Sequence, residues 1–148
     1  MEELFTRTKE TVESVISKLG IDAAQARVKD TPDQASYTLM RGSASVLVTV
    51  VHRAEQKNVF LRVASPVLVL PEANREALYQ RLLELNAGGL ANAAFGVLGD
   101  KVVAVSERPA AGLDASEVEQ IIRHLSAVAD TYDDRLVKEF GGKRASDA

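Results

Sequence analysis

The sequence predicts an α+β fold: a mostly antiparallel sheet of about five strands with three helices, in the order α-β-β-β-α-β-β-α. Three observations carry that prediction. Two apolar strand runs, Ala44 to Arg53 and Val59 to Ala64, flank the polar turn Glu55-Gln56-Lys57-Asn58. A second pair, Ala91 to Leu98 and Lys101 to Glu107, flanks Gly99-Asp100, a two-residue hairpin turn with glycine first. Apolar residues at three- and four-residue spacing then mark helices before, between and after these pairs.

The first helix spans about Glu3 to Leu19, where Leu4, Phe5, Val12, Val15, Ile16 and Leu19 share one face and Gly20 ends the helix. Ala26-Arg27-Val28 reads as a short strand before the turn Asp30-Thr31-Pro32-Asp33, and Tyr37 to Arg41 as the next strand. Gly42-Ser43 turns the chain into Ala44 to Arg53. There Val46, Val48 and Val50 face one way and Leu47, Thr49 and Val51 the other, so neither face is properly polar. A strand apolar on both sides needs cover on both.

In the partner strand Val59, Leu61 and Val63 alternate with Phe60, Arg62 and Ala64. Ser65-Pro66 is expected to interrupt its hydrogen bonding before the run Val67 to Leu70. The second helix starts at Pro71-Glu72, carries Leu78, Leu82 and Leu85 on one stripe with Tyr79 and Leu83 beside it, and stops near Asn86 to Gly89. The third opens with Asp114 as N-cap and Glu117 three residues on, the reciprocal capping pattern, and keeps an apolar stripe from Val118 to Leu136. One domain over residues 1–140 is expected. From Gly141 to Ala148 no apolar residue exceeds alanine, which predicts a disordered tail.

Composition narrows the chemistry. At 148 residues, 46% apolar and 26% charged, the chain suits one soluble domain burying roughly two thirds of its unfolded surface. Four phenylalanines, three tyrosines and no tryptophan leave the core to aliphatic side chains. The absence of cysteine excludes disulfides, thiol catalysis and thiolate metal sites. A net charge of -3, with 8 acidic against 5 basic residues from Ala111 onward, argues against nucleic acid as the main partner. Met1 to Leu4 lacks a signal-peptide pattern, and no apolar run is long enough to span a membrane, so a cytoplasmic location is expected.

No catalytic constellation emerges. His52 and His124 have no carboxylate or second histidine at ligand spacing and read as structural histidines, and no nucleophile motif surrounds a serine. Gly88-Gly89, Gly96 and Gly99 follow a helix or sit in a hairpin, whereas phosphate cradles lead into a helix N-terminus. Asp130, Asp133 and Asp134 are offset by Arg135 and Lys138 and read as a solvated charged face. No enzyme activity, cofactor or metal is therefore expected. What remains is the doubly apolar sheet, where Leu47, Val51, Phe60 and Arg62, with Leu68 in the following run, are the expected face for another protein.

The helix end "LLELN" at Leu82 to Asn86, the hairpin "FGVLGDKVVAVSERP" and the stretch "GLDASEVEQIIRHLSAVADTYDDRL" together resemble the YbjN-like bacterial proteins, whose fold is similar to that of the class I type III secretion chaperones. The resemblance covers about Glu3 to Leu136. It implies a small acidic protein, commonly a homodimer, that binds other proteins without turnover by holding an extended client segment along apolar patches. It further implies pairing through the second helix and a neighbouring strand, which places Leu78, Leu82 and Leu85, or Tyr79 and Leu83, near a dimer seam. A small-ligand-sensing or stress-response regulator is the alternative reading.

Overall fold

The computed structural model describes residues 1–148. Its elements follow as α1 (Glu2–Lys18), α2 (Ala23–Ala26), β1 (Arg27–Thr31), β2 (Gln34–Arg41), β3 (Ala44–Arg53), β4 (Asn58–Val69), α3 (Arg75–Gly88), β5 (Ala94–Leu98), β6 (Lys101–Pro109), α4 (Ala115–Phe140) and β7 (Lys143–Arg144), with 3-10 turns at Ala54–Gln56 and Ala145–Asp147. The strands form one antiparallel sheet in the order β1-β2-β3-β4-β6-β5, with β7 paired to β4. The α+β class holds, and the expected core order survives with additions: the single-turn α2, β1 as a full strand, and β7.

Most differences from expectation have local causes. β4 runs unbroken through Ser65-Pro66. Proline brings no N–H to the ladder, and beside it the Ser65 hydroxyl donates to the Ser45 carbonyl at 2.8 Å, so a side chain supplies a bond there. α3 begins at Arg75, after Pro71-Glu72, because Asn74 takes a left-handed backbone (φ 63°) that no helix interior accommodates. α4 begins as expected, with the Glu117 amide donating to Asp114 Oδ1 at 2.8 Å, but the Glu117 carboxylate pairs with Arg108 instead of returning to the cap. Only half of the reciprocal pattern forms.

The chain packs as two compact units. The first comprises Met1–Leu39, Leu47–Val63 and Glu107–Arg123. Its core takes Phe5, Val12, Val15 and Ile16 from α1, Tyr37 and Leu39 from β2, Val48 and Val50 from β3, Val59, Leu61 and Val63 from β4, and Val118 and Ile122 from α4. Tyr37 is fully buried, and its hydroxyl donates to the Glu13 carboxylate, which also accepts from Arg27 Nη2 at 2.7 Å. Burial, then the neighbouring Glu13, pushes the Tyr37 hydroxyl up. Burial pushes Glu13 up as well, but the bonds from Tyr37 and Arg27 outweigh it and the carboxyl lies below its usual range.

The second unit comprises Met40–Val46, Ala64–Ser106 and His124–Ala148. Leu78 and Leu82 of α3, Phe95 of β5, Val102 and Ala104 of β6, and Leu125 and Leu136 of α4 are buried here. Asn86 fixes the end of α3 to β5: its side-chain amide donates to the Phe95 carbonyl at 3.1 Å and its oxygen accepts from the Phe95 amide at 2.7 Å. The ring of Phe95 meets Tyr132 edge to face, 5.4 Å between centroids.

Gly141 to Ala148, expected to be a disordered tail, is drawn back onto β4 through β7 and closes with a 3-10 turn. A composition without large apolar groups says that a segment cannot build a core. It does not stop that segment from adding a strand, because strand pairing uses the backbone alone.

Candidate partner-binding face

Burial along β3 alternates with the pleat. Val46, Val48 and Val50 are inaccessible, whereas Leu47 is 39% exposed and Val51 and Arg53 are half-buried. β4 repeats the pattern, with Val59, Leu61 and Val63 inside and Phe60 and Arg62 half-buried on the other side. Thr49 lies between Leu47 and Val51 and is buried, its hydroxyl 3.1 Å from that of Ser36. The first unit thus buries one side of these strands and leaves Leu47, Val51, Phe60 and Arg62 accessible on the other.

That face is set by charge as well as shape. The Arg53 guanidinium lies 4.9 Å from the Phe60 ring centroid and is held by the Glu107 carboxylate through both terminal nitrogens, the Nη2 bond at 3.0 Å. Arg62 Nη1 reaches the same carboxylate at 3.0 Å. The Arg53 bond holds the Glu107 carboxyl below the ordinary range, burial opposes this, and Arg62 adds to it. Two guanidiniums share one carboxylate, so the cluster keeps one net positive charge beside Phe60. A planar cation over an aromatic ring is worth about 0.5–1 kcal/mol at an exposed site, enough to fix the ring's orientation ahead of any contact. The arrangement offers an apolar strip with a cationic end and no nucleophile or base aimed at a common point.

The remaining predicted residues divide. Leu68 is fully buried, and beyond Pro66 its strand pairs with β7, where it lies opposite Arg144. It is not accessible to a partner. Leu78 and Leu82 are likewise buried within the second unit, where α3 packs against β5. Tyr79 and Leu85 are half-buried, and Leu83 is 68% exposed. Val97 and Leu98 of β5, at the end of the sheet order, are exposed at 47% and 67%, a pair that the helix stripe did not point to.

Both histidines are engaged with the fold. His52 Nδ1 lies 3.3 Å from Asp33 Oδ1, a carboxylate that sequence distance had hidden, and His124 Nε2 reaches the Leu90 and Ala91 carbonyls at 2.9 and 2.6 Å. Asp130 and Asp134 are exposed, but Asp133 is only 7% exposed, so the three do not form one solvated face. No group of three metal-ligating side chains converges, and no helix is long and apolar enough to cross a membrane.

Comparison with known proteins agrees with this architecture. The family model TY-Chap1, described as "T3SS (YopN, CesT) and YbjN peptide-binding chaperone 1", matches residues 7–148. No curated protein sequence matches the chain. Among solved structures, the chain is similar to one in the ExsC-ExsE complex, with a TM-score of 0.61 at 17% identity over 88% of this chain and 94% of that one. It is similar to one in the heterodimeric ExoU-SpcU complex of the type III secretion system of Pseudomonas aeruginosa, with a TM-score of 0.57 at 12% identity over 86% and 96%. A third likeness is to the HopA1-SchA chaperone-effector complex, with a TM-score of 0.55 at 14% identity over 88% and 94%. At these identities the solved structures speak for the shared fold.

Proposed function

We propose, from the premise that this chain belongs to the TY-Chap1 family of peptide-binding chaperones, that it holds an extended segment of a client protein on the open face of its first unit, without enzymatic turnover. The observation that carries the reading is the exposed position of Leu47, at 39%, beside half-buried Val51 and Phe60, on strands whose other face is sealed. Apolar side chains left accessible between an ordered aromatic and two fixed arginines are suited to an occupant of matching chemistry. The client segment is apolar with an acidic residue near one end, complementary to the unneutralised charge of Arg53, Arg62 and Glu107. A likeness to chains found in three protein-protein complexes, one of them a chaperone-effector complex, supports the same reading.

The active species in this reading is a homodimer joined through Leu83 and Tyr79 of α3 and the free edge of β5, where Val97 and Leu98 are exposed. Light scattering on a column tests this directly: twice the chain mass is expected, and a species near 16.0 kDa at micromolar concentration removes the dimer.

The test of the function itself is capture of a client from the source cell's lysate, with nuclease treatment, by the tagged chain and by its Leu47→Asp variant. One or two stoichiometric proteins are expected with the parent chain and none with the variant, while both melt cooperatively at similar temperature. Loss of cooperative melting in Leu47→Asp would instead make Leu47 an ordinary core residue. A rise in melting temperature with one metabolite of a panel, and no captured protein, would favour a ligand-sensing regulator.

A further inference from the structure

The C-terminal segment is the one docked strand in the second unit that no function has absorbed. Gly141 and Gly142 leave α4 with φ of 85° and 84°, and Lys143 and Arg144 then pair antiparallel with Val69 and Leu68. A Cβ at Gly142 would lie 2.6 Å from the Val69 carbonyl oxygen and 3.3 Å from the Pro71 nitrogen, so only glycine fits both the space and the backbone. Ala145–Asp147 then cross a cavity of about 380 Å³ whose floor includes Met40, Pro66, Val67 and Ala129. Its wall is acidic. Asp133, 7% exposed, lines the cavity, Arg144 Nη1 lies 3.6 Å from Asp134 Oδ1, and Ser43 donates to Asp130 Oδ1 at 3.3 Å. Arg144 also bonds Asp147 within the tail, at 2.8 and 3.0 Å.

We propose that the end of β4 and the carboxylates of α4 form a strand-addition site for a basic peptide, and that Gly141–Asp147 is its resident occupant. Backbone pairing with β4 does not depend on side-chain identity, so a second strand can take the place of the first. The tail pairs over two residues and lines the cavity with Arg144, Ala145, Ser146 and Asp147, none of them a large apolar side chain, which leaves room for one from a competitor. Asp134, 3.6 Å from the tail guanidinium, and Asp133 in the cavity lining favour a competitor that carries positive charge at that place. Tethering presents the tail at an effective concentration of order millimolar. A free peptide that binds no better is excluded, and a tighter client segment displaces the tail. The displacement by a client rests on the peptide-binding reading above; the docking of the tail does not.

The experiment measures anisotropy of a labelled peptide of residues 141–148 titrated with the full chain and with full-chain Gly142→Val, in which the tail cannot seat. The variant is expected to bind the peptide about ten-fold more tightly than the parent, and a peptide with glutamate at the Arg144 position is expected to lose that binding. Equal affinity for both chains, with the variant melting like the parent, overturns the proposal. Should Gly142→Val not fold, hydrogen exchange on the parent chain decides: amides of residues 142–147 slower than in the free peptide support docking, and exchange at the free-peptide rate overturns it. Client capture that fails while the peptide result stands refutes only the proposed function, and the reverse pattern refutes only the tail site.

Discussion

The open face of the first unit and the carboxylates of the second carry their charge in opposite ways. On the first, Glu107 is satisfied by two arginines, its carboxyl is held low, and the surplus charge is positive. In the second, burial pushes the Asp133 carboxyl up, Asp134 and Asp130 push it further, and the Asp134 amide and Arg144 only partly offset them. A surface whose charges are already paired keeps its shape when empty. Like charges grouped on one helix are eased by a cation beside them, and in the second unit the tail Arg144 lies 3.6 Å from Asp134.

Predictions follow that difference from the largest effect down. The first compares neighbours on β4. Leu61→Ala, on the sealed side at 1% exposure, should cost about 2–5 kcal/mol, whereas Phe60→Ala on the open side should cost no more than about 1 kcal/mol and abolish client capture. Denaturant midpoints of the two variants check it, and equal losses would mean the face is closed. Next, Tyr37→Phe removes the donor to Glu13 and should cost about 1–2 kcal/mol, measured in the same way; a neutral result would deny that this buried contact is made.

The third concerns acid. Glu13 and Glu107 have folded pKa values lowered, so their contribution is complete above the unfolded value of about 4.3 and is lost as pH falls through the folded one. Glu107→Gln should therefore cost about 1 kcal/mol at pH 7 and flatten the acid limb of the stability curve. Asp133 has the opposite sign. Its raised folded value means that folding is favoured as the carboxyl protonates, so Asp133→Asn should be neutral or stabilising at pH 7, within about 0.5 kcal/mol. Melting curves of both variants from pH 3 to 7 separate the two regions, and a shared direction would erase the contrast drawn here.

Much of the frame was legible because it is local. β3 occupies Ala44–Arg53 as its alternation predicted, Gly42-Ser43 turns the chain, and Asp114 caps α4 as the spacing to Glu117 implied. The site was legible only in part. Leu47 and Phe60 announce themselves as apolar residues on the wrong side of an apolar strand, but Arg53 reaches Glu107 across 54 residues of sequence, and no periodicity links the two. Leu68 misled for the same reason in reverse. It is buried, and its strand pairs there with Arg144, in a segment whose side chains give no apolar signal. Gly141-Gly142 was the available clue, since two glycines after a long helix permit the left-handed turn that brings the chain back.

Pairing of β7 with β4 also gives the molecule a clock. Lys143-Arg144 is the one place in the chain where two basic side chains are adjacent, and it lies in the docked strand. A trypsin-like protease needs that stretch extended and free, so where redocking outruns cleavage the cutting rate reports the fraction of time the tail is away. Whatever fills the place of the tail then shortens the lifetime of the intact C-terminus, and occupancy becomes readable as turnover.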